Sequence, residues 1–142
     1  MATERRAEVT WQGDLMGGSG TVESVGSGAF GPLDVSWPSR AEDSNGKTSP
    51  EELIAAAHAA CYSMAFANYL AGQGHAPEEI RTEATITLDN GVINKMHLVT
   101  QGRVADVSEE DFKRLADEAE KKCPVSNLLR SGLAITLDAS LL

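Results

Sequence analysis

The sequence predicts an α+β protein in which antiparallel sheets wrap around one long, buried central helix. The first observation is a segment from residue 50 to residue 72 with helix-capping signals and almost no polar face. The second is alternation of apolar and polar residues near both ends of the chain and directly after this helix, which predicts short strands. Strands in such runs, with helices between the runs, are typical of α+β folds rather than of repeated βαβ units. A length of 142 residues fits a single domain over residues 1–142.

The charge and the composition exclude several classes of partner. Twelve basic against twenty-one acidic side chains give a net charge of −9, which argues against binding to nucleic acid or to an anionic membrane surface. The N-terminal segment has no apolar run typical of a secretory signal. Because His58, Ser63 and Asn68 interrupt the apolar helix, we do not expect it to span a membrane. We therefore expect a cytoplasmic protein, in which two cysteines are more often catalytic, redox-sensing or reduced than structurally cross-linked.

The N-terminal third of the chain predicts strands, a long loop and the start of the helix. Residues 7–25 indicate two short strands around the Gly-rich turn GGSG. Residues 28–50 are rich in turn-forming residues and predict one more strand and a long loop, and such loops are often functional. Ser49, Pro50 and Glu52 form a capping-box pattern, so the helix should begin there and end near Gly72.

The long helix is apolar over most of its circumference. Its apolar positions include Leu53, Ile54, Ala57, Cys61, Met64, Phe66 and Leu70. A helix that is apolar on all sides is buried on all sides. In a chain of this size the cover must come from the sheet, from a partner subunit, or from both.

The remainder of the chain predicts a hairpin, two helices and a last strand. Residues 81–105 contain two alternating runs around the turn Asp89-Asn90-Gly91, which indicates an antiparallel pair. An amphipathic helix capped by Ser108 follows. The packing stripe of that helix is expected to consist of Phe112, Leu115 and Ala119. Cys123-Pro124 ends this helix and begins a short one, and residues 133–141 predict the final strand.

Cys61 is one of two cysteines and lies in the middle of the long helix. Taken alone it could be a small buried apolar residue, since free cysteine is among the most buried residue types. For it to react as a thiolate, another group must lower its pKa, because backbone amides in the middle of a helix are already paired. A guanidinium suits this task, and Arg40 in the preceding loop is the nearest in sequence, unless it is only a solvated loop charge.

Cys123 is predicted to occupy the N-cap of the short helix, facing unpaired amide donors. Lys121 and Lys122 add positive charge nearby, so on electrostatic grounds alone Cys123 is the more easily formed thiolate. The alternative is an unreactive Cys-Pro helix break.

Glu51 stands directly after Pro50 and is not required for capping, a role that Glu52 fills. Ten residues of helix put Glu51 about 15 Å from Cys61 along the axis, so the two cannot meet within one straight helix. If Glu51 serves the Cys61 site, it must therefore come from a second copy of the chain in a symmetric dimer.

His58 lies three residues before Cys61 and hence on the same face of the helix. It could act as the base of a Cys-His nucleophile, although such a histidine is more often packed and hydrogen-bonded. Cys61, His58, Cys123 and His97 do not have the spacing of a zinc site, and we predict no metal.

Three segments together closely resemble the OsmC branch of the OsmC/Ohr family of thiol peroxidases. These are "SPEELIAAAHAACYSMAFANYL", "KKCPVSNLL" and "VTWQGDLMGGSGTV", and the resemblance extends over essentially the whole chain. It implies that Cys61 is the peroxidatic cysteine, Cys123 the resolving cysteine and Glu51 the active-site glutamate. The turn "LMGGSG" lacks the arginine of the Ohr branch, so Arg40 is the expected activating arginine. An OsmC-like fold, an intertwined homodimer and sites at its interface are also implied.

The resemblance implies a thiol-dependent reductase of organic hydroperoxides, and of hydrogen peroxide as a further candidate substrate. Cys61 would become a sulfenic acid and then a disulfide with Cys123. An external dithiol would reduce this disulfide, with a lipoyl-type dithiol or a lipoylated protein as the expected reductant, and no cofactor would be bound. Two alternatives remain: a redox-regulated protein that binds an apolar ligand at the dimer interface, and an acyl-transfer enzyme that uses Cys61 and His58.

Overall fold

A computed structural model describes residues 1–142, which fold into two compact units, Met1–Leu53 and Ile54–Leu142. In chain order the elements are β1 (Ala7–Gln12), β2 (Ser19–Val25), β3 (Leu33–Val35), α1 (Trp37–Ala41), α2 (Pro50–Gly72), β4 (Glu79–Asp89), β5 (Val92–Arg103), α3 (Glu109–Glu120), α4 (Pro124–Leu129) and β6 (Ala134–Leu141). This arrangement confirms the α+β class. Helix α2 runs through the boundary between the units, and its ends match the predicted ones.

The first unit contains an antiparallel sheet in the order β1-β2-β3. The Gly-rich turn joins β1 to β2, and Gly13 there has a φ of +89°, which glycine adopts without strain. Helix α1, which follows β3, was not predicted, because residues 28–50 were interpreted as a strand and a loop. Its signal is a capping box in which Ser36 and Ser39 each accept a hydrogen bond from the backbone N–H of the other.

The first turn of α2 also belongs to this unit and differs in one detail from the prediction. Ser49 Oγ accepts a hydrogen bond from the Glu52 backbone N–H at 3.1 Å, as an N-cap does. The Glu52 carboxylate does not accept a hydrogen bond from the backbone N–H of Ser49, as a complete capping box requires. It accepts a hydrogen bond from the Thr48 hydroxyl at 2.8 Å instead, so the Thr48 hydroxyl replaces the Ser49 backbone N–H as the donor.

The second unit contains a sheet in the order β4-β5-β6. Strands β4 and β5 form the predicted antiparallel hairpin. Strand β6 runs parallel to β5, so this sheet is mixed and not purely antiparallel. The reason is the long connection: α3 and α4 lie between β5 and β6 and return the chain to the same end of the sheet, as a parallel pair requires.

The core of the second unit forms where α2 meets α3 and the sheet. Tyr62, Phe66 and Leu70 of α2 are completely buried. Phe66 packs on Phe112 with ring centroids 5.1 Å apart. The predicted stripe of α3 is confirmed, and its buried apolar members are Phe112, Leu115, Ala116 and Ala119.

The other side of α2 is exposed in the single chain. Met64 has 73% of its surface exposed, and Ala57 and Ala60 are exposed on the preceding turns. Burial on all sides is therefore not found within one chain. With a mean hydropathy of 1.2 over 18 residues, α2 meets the length and composition of a membrane span, but this signal is weak because Tyr62 and Phe66 pack into a protein core.

Candidate active site: two thiols and an arginine–glutamate pair

Two cysteines far apart in the sequence meet in the second unit. Cys61 is half-buried on α2, and Cys123 is completely buried at the N-cap of α4. The two thiols are not joined in a disulfide, and Cys123 lies close enough to Cys61 to raise the pKa of the Cys61 thiol. Packing of α4 on α2 thus creates a dithiol pair, the arrangement that disulfide exchange and sulfenic-acid chemistry require.

Backbone amides at the start of α4 point at both sulfur atoms. Cys123 Sγ accepts a hydrogen bond from the Ser126 backbone N–H at 3.5 Å, which confirms the predicted N-cap. The backbone amide of Val125 lies close enough to the Cys61 thiol to lower its pKa. Sequence analysis missed this second contact, since the amide comes from a different helix from the one that carries Cys61.

The electrostatics of the second unit do not activate Cys61. Burial raises the pKa of the Cys61 thiol, and the neighbouring Cys123 raises it further. The backbone amide of Val125 lowers the pKa but does not outweigh burial. Within residues 54–142, no cationic side chain contributes to this balance. A thiolate at Cys61 therefore needs a positive charge from elsewhere.

Arg40 and Glu51 form an ion pair in the first unit. Arg40 Nε donates to Glu51 Oε1 at 2.7 Å. The Glu51 side chain is only 8% exposed, and its Oε2 is buried without a hydrogen-bond partner, whereas the Arg40 side chain is 35% exposed. The sequence predicts that Arg40 activates Cys61 and that Glu51, if it serves the same site, comes from a second copy of the chain. The structure pairs Arg40 and Glu51 within one chain.

An apolar groove of about 410 Å³ in the first unit includes Arg40 in its wall. Its apolar lining consists of Val9, Trp11, Leu15, Val35, Trp37 and Pro50. A guanidinium beside apolar surface can orient a polar head group while the groove receives an apolar body.

His58 does not form the suggested pair with Cys61. It is completely buried, and its Nε2 lies 2.7 Å from Ser126 Oγ. Burial lowers the pKa of His58; Glu120 opposes this shift and Arg130 adds to it. The acyl-transfer alternative loses its support, since the histidine contacts a serine of α4 and not the thiol. No group of three or more His, Cys, Asp or Glu side chains in the chain could hold a metal ion.

The fold and the paired thiols define a small α+β protein with a dithiol centre, and comparison with known proteins gives its family. The family model for OsmC-like proteins matches residues 42–138. Peroxiredoxin OsmC of Escherichia coli is 37% identical over 145 residues, with 99% of each chain covered. The chain belongs to the OsmC-like family.

Solved structures agree with this assignment. The organic hydroperoxide resistance protein OhrB of Bacillus subtilis has a TM-score of 0.68 and 25% identity, covering 95% of this chain and 98% of that one. An OsmC-like protein of Mycoplasma pneumoniae, 17% identical, has a TM-score of 0.75 and covers 100% of this chain and 99% of that chain. At 17% identity, the similarity to the Mycoplasma pneumoniae protein shows only that the two proteins share a fold.

Proposed function

We propose that this chain is a thiol-dependent peroxidase that reduces organic hydroperoxides to alcohols. The observation that carries the proposal is the pair of free thiols, Cys61 and Cys123, which are close enough for Cys123 to raise the pKa of Cys61. The Cys61 thiolate attacks the terminal peroxide oxygen, the O–O bond breaks, and the alcohol leaves with a proton. The sulfenic acid left on Cys61 condenses with the Cys123 thiol to a disulfide and water. The relatives named peroxiredoxin and organic hydroperoxide resistance protein support this reaction.

The groove of the first unit supports an organic substrate. Trp11, Leu15 and Trp37 offer apolar surface to an alkyl or aryl group, and Arg40 in the same wall can donate to the peroxide oxygens. We propose that Arg40, held by Glu51, both orients the hydroperoxide and stabilises the Cys61 thiolate.

We further propose that the working form is a homodimer in which Arg40 and Glu51 of one chain serve Cys61 of the other. Two observations support this. Cys61 receives no positive charge within residues 54–142, and α2 exposes the apolar face of Ala57, Ala60 and Met64. An exposed apolar face of this kind is typical of a surface that a second subunit covers. The family match runs through the boundary between the two units, which supports one OsmC-like domain per chain.

The reductant is an external dithiol in this proposal. Cys123 is buried, so a slender dithiol on a flexible arm has better access to the disulfide than a bulky protein surface. We propose a lipoyl-type dithiol, free or on a lipoylated protein, and a cytoplasmic location, a compartment in which thiols are kept reduced.

The reaction is tested by mixing the reduced chain with one equivalent of cumene hydroperoxide and counting thiols and cumyl alcohol. The proposal expects both thiols to be lost, one alcohol to form, and repeated turnover with dihydrolipoamide. In Cys123→Ser the first step should stop at a sulfenic acid that dimedone traps, and Cys61→Ser should be inert. If both thiols are still free after reaction with the hydroperoxide, the mechanism is refuted. Loss of thiols without turnover under any dithiol would instead indicate a redox-regulated binding protein.

A further inference from the structure

His58 is a buried polar residue that the proposed reaction leaves without a role. We propose that it is a positioning residue for the second step: by holding Ser126, it fixes the first turn of α4 and keeps Cys123 against Cys61 for disulfide formation. This inference rests on the proposed function and assigns a task within it.

A continuous set of contacts connects His58 to the reacting sulfur atoms. His58 Nε2 lies 2.7 Å from Ser126 Oγ, and both residues are completely buried. The backbone N–H of the same Ser126 donates to Cys123 Sγ at 3.5 Å. Cys123 in turn neighbours Cys61 closely enough to raise its pKa, and Cys61 lies one turn after His58 on α2. A rotation of α4 away from α2 would therefore break the His58–Ser126 bond and separate the sulfur atoms together.

Helix α4 needs such a support because it has only six residues, Pro124–Leu129. Helices this short are not stable on their own and take their position from tertiary contacts. At the far end of α4, two nitrogens of Arg130 lie 2.9 Å from the two carboxylate oxygens of Glu120. At the near end, where Cys123 lies, His58 of α2 contacts the Ser126 hydroxyl.

The chemistry of residue 58 indicates that its hydrogen bond matters more than its volume. His58 Nδ1 is buried without a hydrogen-bond partner, which carries a desolvation cost that an aliphatic residue of similar size would not have. The charged groups that influence it are Glu120 at the end of α3 and Arg130 after α4. A histidine at position 58 can hydrogen-bond to Ser126, whereas a leucine could not.

The step that His58 supports is balanced without a further reagent. The Cys123 sulfur attacks the Cys61 sulfenic acid, the S–S bond forms, and the S–O bond breaks. The leaving hydroxide takes the Cys123 proton and departs as water. His58 touches neither sulfur, so its effect is on geometry, and it should alter the rate of this step relative to the oxidation of Cys61.

The experiment follows both steps in one sample by quenching with N-ethylmaleimide and dimedone and measuring intact mass. In His58→Leu we expect disulfide formation to slow about threefold to tenfold relative to Cys61 oxidation, the factor typical of losing one hydrogen bond. With excess cumene hydroperoxide, Cys61 sulfinic acid should accumulate. His58→Gln, whose amide can reach Ser126, should restore most of the ratio. Ser63→Ala is the matched control, because it removes a 2.8 Å bond from α2 to Thr82 and should leave the ratio unchanged.

Three results would overturn the inference. The first is that His58→Leu keeps the wild-type ratio of disulfide formation to Cys61 oxidation. The second is that His58→Leu and His58→Gln slow disulfide formation equally, which would show that residue 58 acts only through packing. If His58→Leu does not fold, Ser126→Ala removes the same bond from the α4 side, and a wild-type ratio there has the same meaning. Absence of any disulfide in the wild-type chain would overturn the proposed function itself, so the two failures are distinguishable.

Discussion

The proposed sharing of the active site between two chains can be tested by mixing two inactive variants. The first variant, Cys61→Ser, lacks the nucleophile, and the second, Arg40→Met, lacks the guanidinium but keeps an unbranched apolar side chain. Loss of a preorganised charged donor typically lowers a rate about 10²-fold, so each homodimer should have close to no activity. A mixed dimer has one site in which an intact Cys61 meets an intact Arg40 from the other chain.

The expected activity follows from counting sites. When the two variants are unfolded together in equal amounts and refolded, about half of the dimers are mixed, and each has one complete site of two. The mixture should therefore recover about one quarter of wild-type turnover of cumene hydroperoxide with dihydrolipoamide. The structural basis is the ion pair of Arg40 with Glu51 and the unbroken helix that keeps Glu51 about 15 Å from Cys61 along the axis.

The reciprocal mixture is the control. Wild-type chains refolded with the double variant Cys61→Ser/Arg40→Met should lose about half of the activity that they have unmixed, because mixed dimers then contain no complete site. If the first mixture stays inactive and the second keeps its activity, Arg40 acts on Cys61 of its own chain. That outcome would refute the shared site while leaving the peroxidase reaction intact.

Three further predictions concern the groove, the helix face and pH. Leu15→Ser, which removes apolar surface from the groove, should lower kcat/KM for cumene hydroperoxide about threefold to tenfold and leave that for hydrogen peroxide unchanged in steady-state assays. Met64→Asp should place a charge on the exposed face of α2 and shift the chain to a monomer by light scattering, whereas Gln73→Asp beyond the helix should not. Burial lowers the pKa of His58, so below about pH 6.5 the unfolded chain binds a proton at this residue more readily than the folded chain does. The free energy of unfolding should therefore be unaffected by this group above about pH 6.5 and should fall as the pH drops below that value. The urea midpoint of the wild type should therefore fall more between about pH 7.5 and about pH 5.5 than that of His58→Gln.

Local signals predicted much of the fold. The Ser49-Pro50 start of α2, the Ser108 cap of α3 and the N-cap position of Cys123 depend on residues close in sequence, and the structure has all three. Helix α1 carried a similar signal, Ser36 followed by Pro38, but was assigned to a loop because so many turn-forming residues surround it. The direction of β6 could not be read locally, since it depends on how α3 and α4 return the chain.

The sequence predicts residues for the candidate site but not the contacts that they make. Residue chemistry selected Cys61, Cys123, Arg40 and Glu51, and the resemblance to a family suggested their roles. The amide of Val125 at Cys61 and the contact of His58 with Ser126 arise only when α4 packs on α2, so no spacing in the sequence reveals them. The Arg40–Glu51 pair is also tertiary, because it joins α1 to the first turn of α2.

The proposed dimer would link the reactivity of the Cys61 thiol to assembly of the protein. Burial and the neighbouring thiol hold the pKa of Cys61 above its usual value, so the second unit by itself keeps the sulfur protonated and slow to react. In the proposed dimer, the guanidinium that corrects this arrives with the surface that covers the exposed face of α2. An unassembled chain would then present Cys61 as an unreactive thiol and be protected from indiscriminate oxidation. In that proposal, the apolar face of α2 that drives assembly would also restrict formation of the nucleophile to dimers, in which the groove and Arg40 are present to receive a hydroperoxide.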